Sequence, residues 1–202
     1  MTLRSAIFGV AALLLTSGAS AAEVRGFEPW KLGMTREEVL ALSSSGPYSP
    51  VPSTGGLETR DARFRGKKVT ASFVFGSEGL RHIQIWAYEG QDYKEALLAF
   101  HEAYSYLSEN FGLLHSGNSK IPAGLTLQAL DELVPSEFRT GTSKAELGEL
   151  QQKGSIQAQI HKFHLHPQEP PAGAEVYASL LHSPQIGSYW VFVYFKTPAA
   201  GH

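Results

Sequence analysis

Residues 69–88 alternate with a period of two on both sides of a Gly76-Ser77-Glu78-Gly79 turn, and this pattern limits the possible folds more than any other in the chain. Val69, Ala71, Phe73 and Phe75 point one way, Thr70, Ser72 and Val74 the other. On the return, Ile83, Ile85 and Ala87 share one face, while His82, Gln84, Trp86 and Tyr88 take the opposite one. That is an antiparallel hairpin with one apolar side. A hairpin is marginal in water by itself, so further strands or a helix must cover it.

The covering helix follows directly. Asp92 is a good N-cap with Glu95 at the third helical position, and Tyr93, Ala96, Leu97, Phe100, Ala103, Tyr104, Leu107 and Phe111 recur at three and four before Gly112. Upstream, Thr35 and Glu38 form a capping box, with Met34 and Val39 placed as a hydrophobic staple. That first helix is expected to run to about Ser44 and stop at Ser45-Gly46-Pro47, with Gly46 in a left-handed cap. A strand is expected over residues 57–66, with Ala62 and Phe64 on one side. Short helices fit Leu125 to Leu133 and Ser143 to Gln152, the second opened by a Ser143/Glu146 capping box. Strands return at Ile156 to Leu165, Glu175 to Leu181 and Tyr189 to Lys196. Strands and helices in this order predict an α+β fold: an antiparallel β-sheet with helices packed on one face.

The amino-terminal residues read as an export signal. Arg4 supplies the positive charge, Ala6 to Leu15 the apolar core, and Ala19-Ser20-Ala21 the small residues before cleavage after Ala21 or Ala22. The expected organisation is a signal peptide at residues 1–21 and a single domain at 22–202 with an irregular middle segment, 113–154. That core is too short for a spanning helix and no later run crosses a bilayer, so the expectation is a periplasmic or secreted protein without a transmembrane segment. With no cysteine in 202 residues there are no disulfides and no thiol chemistry, and the domain must hold by core burial. A net charge of −2 gives no footprint for nucleic acid. The cluster of Arg60, Arg63, Arg65, Lys67 and Lys68 reads as a solvated strand edge.

Leu32-Gly33-Met34-Thr35 with Glu38-Val39, then aromatic-rich strands, then a helix ending Asn110-Phe111-Gly112, resembles a set of bacterial periplasmic domains. These share the architecture of β-lactamase inhibitor proteins and of a small outer-membrane assembly lipoprotein, with helices laid against a curved antiparallel sheet. The resemblance spans residues 28–112. The chain departs from the pattern by lacking a lipidation cysteine and by its long carboxy-terminal half. The resemblance implies protein binding through an open sheet face and transfers no functional residues.

The sheet offers such a face. If Val69, Ala71, Phe73, Ile83, Ile85, Val176, Ala178, Leu180, Val191 and Val193 pack under the helices, alternation leaves Trp86, Tyr88, Tyr177, Trp190, Phe192 and Tyr194 on the other side. Tyr and Trp give wide contact area at low rotamer entropy, so Trp86, Tyr88, Tyr177, Trp190 and Tyr194 are the candidate binding residues. Their partner would be a protein or cell-envelope component; alternatively a loop from residues 113–172, or a second copy of the chain, covers the face. For metal, His161, His164 and His166 are the candidates, with His182 or His82 as a further ligand from a neighbouring strand. No nucleophile elbow, His-Glu-x-x-His or phosphate loop is present, and no catalytic residue or cofactor is assigned. The expectation is an exported non-catalytic binding protein, with a small periplasmic hydrolase or a His-rich metal binder as the alternative.

Overall fold

The computed structural model describes residues 26–139, 160–169 and 171–197. The expected signal peptide, the helix expected at residues 143–152 and the start of the strand expected from Ile156 lie outside them. In chain order the elements are β1 (Gly26–Phe27), β2 (Trp30–Lys31), α1 (Arg36–Ala41), β3 (Tyr48–Val51), β4 (Gly56–Phe64), β5 (Lys67–Gly76), β6 (Gly79–Gly90) and α2 (Tyr93–Phe111). There follow β7 (Leu114–Ser116), β8 (Ser119–Ile121), α3 (Leu127–Leu133), β9 (His161–Pro167), β10 (Glu175–Ser183) and β11 (Ser188–Lys196).

β1 and β2 pair with each other, and the other strands form one nine-stranded sheet in the order β3-β4-β5-β6-β11-β10-β9-β7-β8, every neighbour antiparallel. The fold is α+β. The long helix α2 lies across β6, β11, β10 and β9 on one side of the sheet. Its stripe of Ala96, Leu97, Phe100, Ala103, Tyr104 and Leu107 is buried against Ile83, Ile85, Val176, Ala178, Leu180, Val191 and Val193. Burying one such large side chain is worth about 1.5–3 kcal/mol, which is how a chain without disulfides closes a core. The sheet edges are blunted by Pro50 on β3 and Lys120 on β8.

Both capping motifs form. Thr35 Oγ1 accepts from the Glu38 amide at 3.2 Å, and Glu38 Oε2 accepts from the Thr35 amide at 2.7 Å. Asp92 Oδ1 accepts from Lys94 and Glu95 at 2.7 and 3.1 Å. α1 ends earlier than the sequence suggests, at Ala41. Leu42 leaves helical geometry with ψ of 62°, a 3-10 turn covers Ser43–Ser45, and Gly46 is extended rather than left-handed. Within the middle segment 113–154 the helix expected at Leu125 to Leu133 forms as α3, and up to Arg139 the β7–β8 hairpin and a 3-10 turn at Ser136–Phe138 accompany it.

Candidate functional site

Along β10 and β11, Tyr177 stands between Val176 and Ala178, Trp190 between Tyr189 and Val191, and Phe192 and Tyr194 flank Val193; each neighbour named is a core residue. The aromatic side chains therefore project from the sheet face opposite α2, where Trp86 of β6 joins them as the cross-strand partner of Phe192. Tyr88 does not. A bulge leaves Ala87 unpaired, so that Val191 faces Tyr88 while Phe192 faces Trp86. The extra residue turns Tyr88 to the helix side, where its hydroxyl accepts from the Asp92 amide and donates to the Asp92 carbonyl, both at 3.2 Å. Tyr88 is thus a fastener for the start of α2, and the open aromatic face consists of Trp86, Tyr177, Trp190 and Tyr194 with the buried Phe192.

These rings form a ladder across the strands. His115 of β7 stacks on His166 of β9 at 5.4 Å, His166 on Tyr177 of β10 at 5.2 Å, Tyr177 on Tyr194 of β11 at 4.5 Å, and Tyr194 on His82 of β6 at 5.3 Å. Phe192 links this row to Trp86, 5.6 Å from Tyr194 and 4.9 Å edge-on from Trp86. Lys196 caps the middle, its ammonium 4.7 Å from the Tyr177 ring centre and 5.5 Å from that of Tyr194. Because the stacked rings cover one another's faces, the ladder presents edges, hydroxyls and imidazole nitrogens outward.

Two pockets flank the β6 side of the ladder. One of about 410 Å³ is lined by Glu58, Arg60, Thr70, Trp86 and Glu89, and another of about 230 Å³ by Val74, Phe75, Arg81, His82, Lys196 and Thr197. The Trp190 indole donates to Glu89 at 3.2 Å, while the Trp86 indole N–H and His82 Nε2 are buried without a hydrogen-bond partner. Each unmet polar group costs about 1–3 kcal/mol. Burial, reinforced by the Lys196 charge, pushes the His82 imidazole down to about 4, so it is neutral at neutral pH. Burial also raises the Tyr194 hydroxyl, with Tyr177 adding to the shift.

The three histidines of β9 do not act together. His161 lies three residues before His164, an odd step on a strand, so it faces the helices and stacks on His182 at 5.9 Å. His182 is itself buried against Tyr189 at 4.3 Å and Phe138 at 6.1 Å. His164 and His166 share the open face with ring centres 6.1 Å apart, and their neighbour there is His115. His82 sits at the far end of the ladder. Sequence reasoning missed His115 because its strand is three residues long, yet Gly117-Asn118 between Ser116 and Ser119 was a two-residue hairpin signal.

His164 Nδ1 meets Ser179 Oγ at 2.7 Å, as a serine nucleophile and its base would, but Ser179 is 1% exposed and a substrate carbonyl cannot approach it. The basic cluster is largely neutralised: Arg65 pairs with Glu109, Lys67 with Glu102, Lys68 with Asp61 and Arg60 with Glu58. Among the described residues no helix is long and apolar enough to cross a membrane. No protein-family model matches the chain, and no curated protein or solved structure matches it.

Proposed function

We propose that this is an exported, non-catalytic binding protein that holds a protein or cell-envelope component on the open face of its sheet. The observation that carries the reading is the ring ladder from His115 to His82, with Trp86 and Trp190 beside it and a pocket at the Trp86 end. A merely solvated sheet face needs no such array. The resemblance of residues 28–112 to inhibitor-like periplasmic domains and the export signal at residues 1–21 agree with this role and with a periplasmic location.

The test is site-specific photo-crosslinking in intact cells of the source organism. A photoreactive phenylalanine analogue placed at Trp190 should yield a discrete adduct, identified by mass spectrometry, and the same analogue at Leu98, exposed on the outer side of α2, should not. Trp86→Ala should weaken capture of that partner while leaving the circular dichroism spectrum intact. Adducts from position 98 alone, or none from the sheet face, would overturn the assignment. A crosslink to a second copy would make the face a homodimer interface.

A further inference from the structure

We propose that His115, His164 and His166 form a surface site for a divalent d-block cation that prefers imidazole ligands, Cu²⁺ foremost. The site goes beyond the partner-binding reading and does not depend on it. Two kinds of geometry converge here. His164 and His166 are two residues apart on β9 and so share a face, and the β7–β9 pairing sets His115 directly opposite His166. The three rings span centre-to-centre distances of 5.4 and 6.1 Å about His166.

The outer partners fix the ring chemistry. His115 Nδ1 lies 3.1 Å from the Gly117 carbonyl oxygen, which can only accept, so Nδ1 carries the proton and Nε2 the lone pair. His164 Nδ1 pairs with the Ser179 hydroxyl at 2.7 Å, and when that hydroxyl accepts, Nδ1 carries the proton and Nε2 is left to coordinate. A ligand imidazole held by its other nitrogen is the usual arrangement around bound metal. Lys196 opposes a cation, and Glu175, close enough to raise the His166 pKa, offsets it.

Among the described residues, as their side chains stand, no group of three or more His, Asp or Glu is placed to hold a metal ion, so the site forms only when a ring turns. His115 and His166 lie 23° from parallel, so joint coordination requires one imidazole to turn about χ2, a broad torsion. Turning His166 also gives up its stack on Tyr177. Imidazole donors suit Cu²⁺ and Zn²⁺, and Cu²⁺ stands higher in the affinity order.

Calorimetric titration of the purified protein with CuCl₂, repeated with ZnCl₂, tests this. Losing even an outer-shell partner costs about 10–100-fold in affinity, so His115→Ala and His166→Ala should each weaken Cu²⁺ by at least about tenfold. His161→Ala, on the opposite face, should leave affinity unchanged. Zn²⁺ added to the unmutated protein should shift the ring nitrogens of His115, His164 and His166 in NMR spectra and not those of His161 and His182, a readout independent of whether any variant folds. Absence of binding at 1:1 stoichiometry, unchanged affinity in His115→Ala, or an equal loss in His161→Ala would each overturn the site.

Discussion

Gly79 opens β6 with a left-handed φ of 98°, and a Cβ there would lie 2.4 Å from the Gly33 carbonyl oxygen and 2.7 Å from that of Met34. The close approach exists because the Leu32-Gly33-Met34 segment is strapped to β6: the Gly33 amide donates to the Leu80 carbonyl at 2.8 Å, and the Leu80 amide to the Met34 carbonyl at 2.7 Å. Gly79→Ala is therefore expected to cost more than the ~1–2 kcal/mol of the left-handed conformation alone, read as a lowered urea midpoint at unchanged slope. Tyr88 gives a second residue-scale test. Tyr88→Phe removes a hydroxyl that both donates and accepts at the head of α2, and is expected to lose about 1 kcal/mol of stability. Since the ring faces the helix, partner capture by Tyr88→Phe should match the parent protein, in contrast to Trp86→Ala. Weakened capture would return Tyr88 to the binding face.

At the scale of elements, the ladder makes the sheet face sensitive to pH. Burial depresses His82, His164 and His166 on this face, and His182 on the other, below the unfolded histidine value of about 6.5. The unfolded chain then takes up protons first, so this share of stability is complete above about pH 6.5 and is lost as the pH falls. For His82 the loss continues to about 4. Between pH 6.5 and 5 few carboxylates titrate, so the melting temperature should fall with acidification there, and His82→Gln should flatten the slope. A profile unaltered in His82→Gln would refute the assignment.

The same elements show what the sequence could disclose. The period-two run at 69–88, the capped periodic stretch of α2 and the Thr35/Glu38 box are local patterns, and each forms at its expected place. The side on which Tyr88 lies is not local, because the bulge at Ala87 is defined only by register against β11, about a hundred residues later. His115 beside His166 is likewise a product of β7 pairing with β9 across a distant loop. Strict alternation therefore assigned the aromatic face correctly at Trp86, Tyr177, Trp190 and Tyr194, and failed only where the ladder slips.

Across the whole molecule, the strands from residues 48–90 and those from 161–196 form contiguous blocks of the sheet that meet along the β6–β11 pairing. α2 packs over that joint, and towards its carboxy-terminal end Phe27 gathers Trp30, Tyr106 of α2 and Phe195 of β11 at 6.2, 5.9 and 5.8 Å. A core continuous through the joint implies that neither block is stable without the other. Phe195→Ala removes a fully buried ring at the centre of this contact and should cost about 3–5 kcal/mol. The decisive observation is the form of the unfolding curve. Tryptophan fluorescence, reporting on Trp30 packed against Phe73 of the first block and on Trp86 and Trp190 along the joint, should lose its folded signal at the same denaturant concentration as the far-ultraviolet dichroism, in the parent and in Phe195→Ala alike. Separated midpoints would mean that the sheet is two units laid edge to edge, and the ring ladder, which runs from β7 to β6 across the joint, would then be broken when either unit opened.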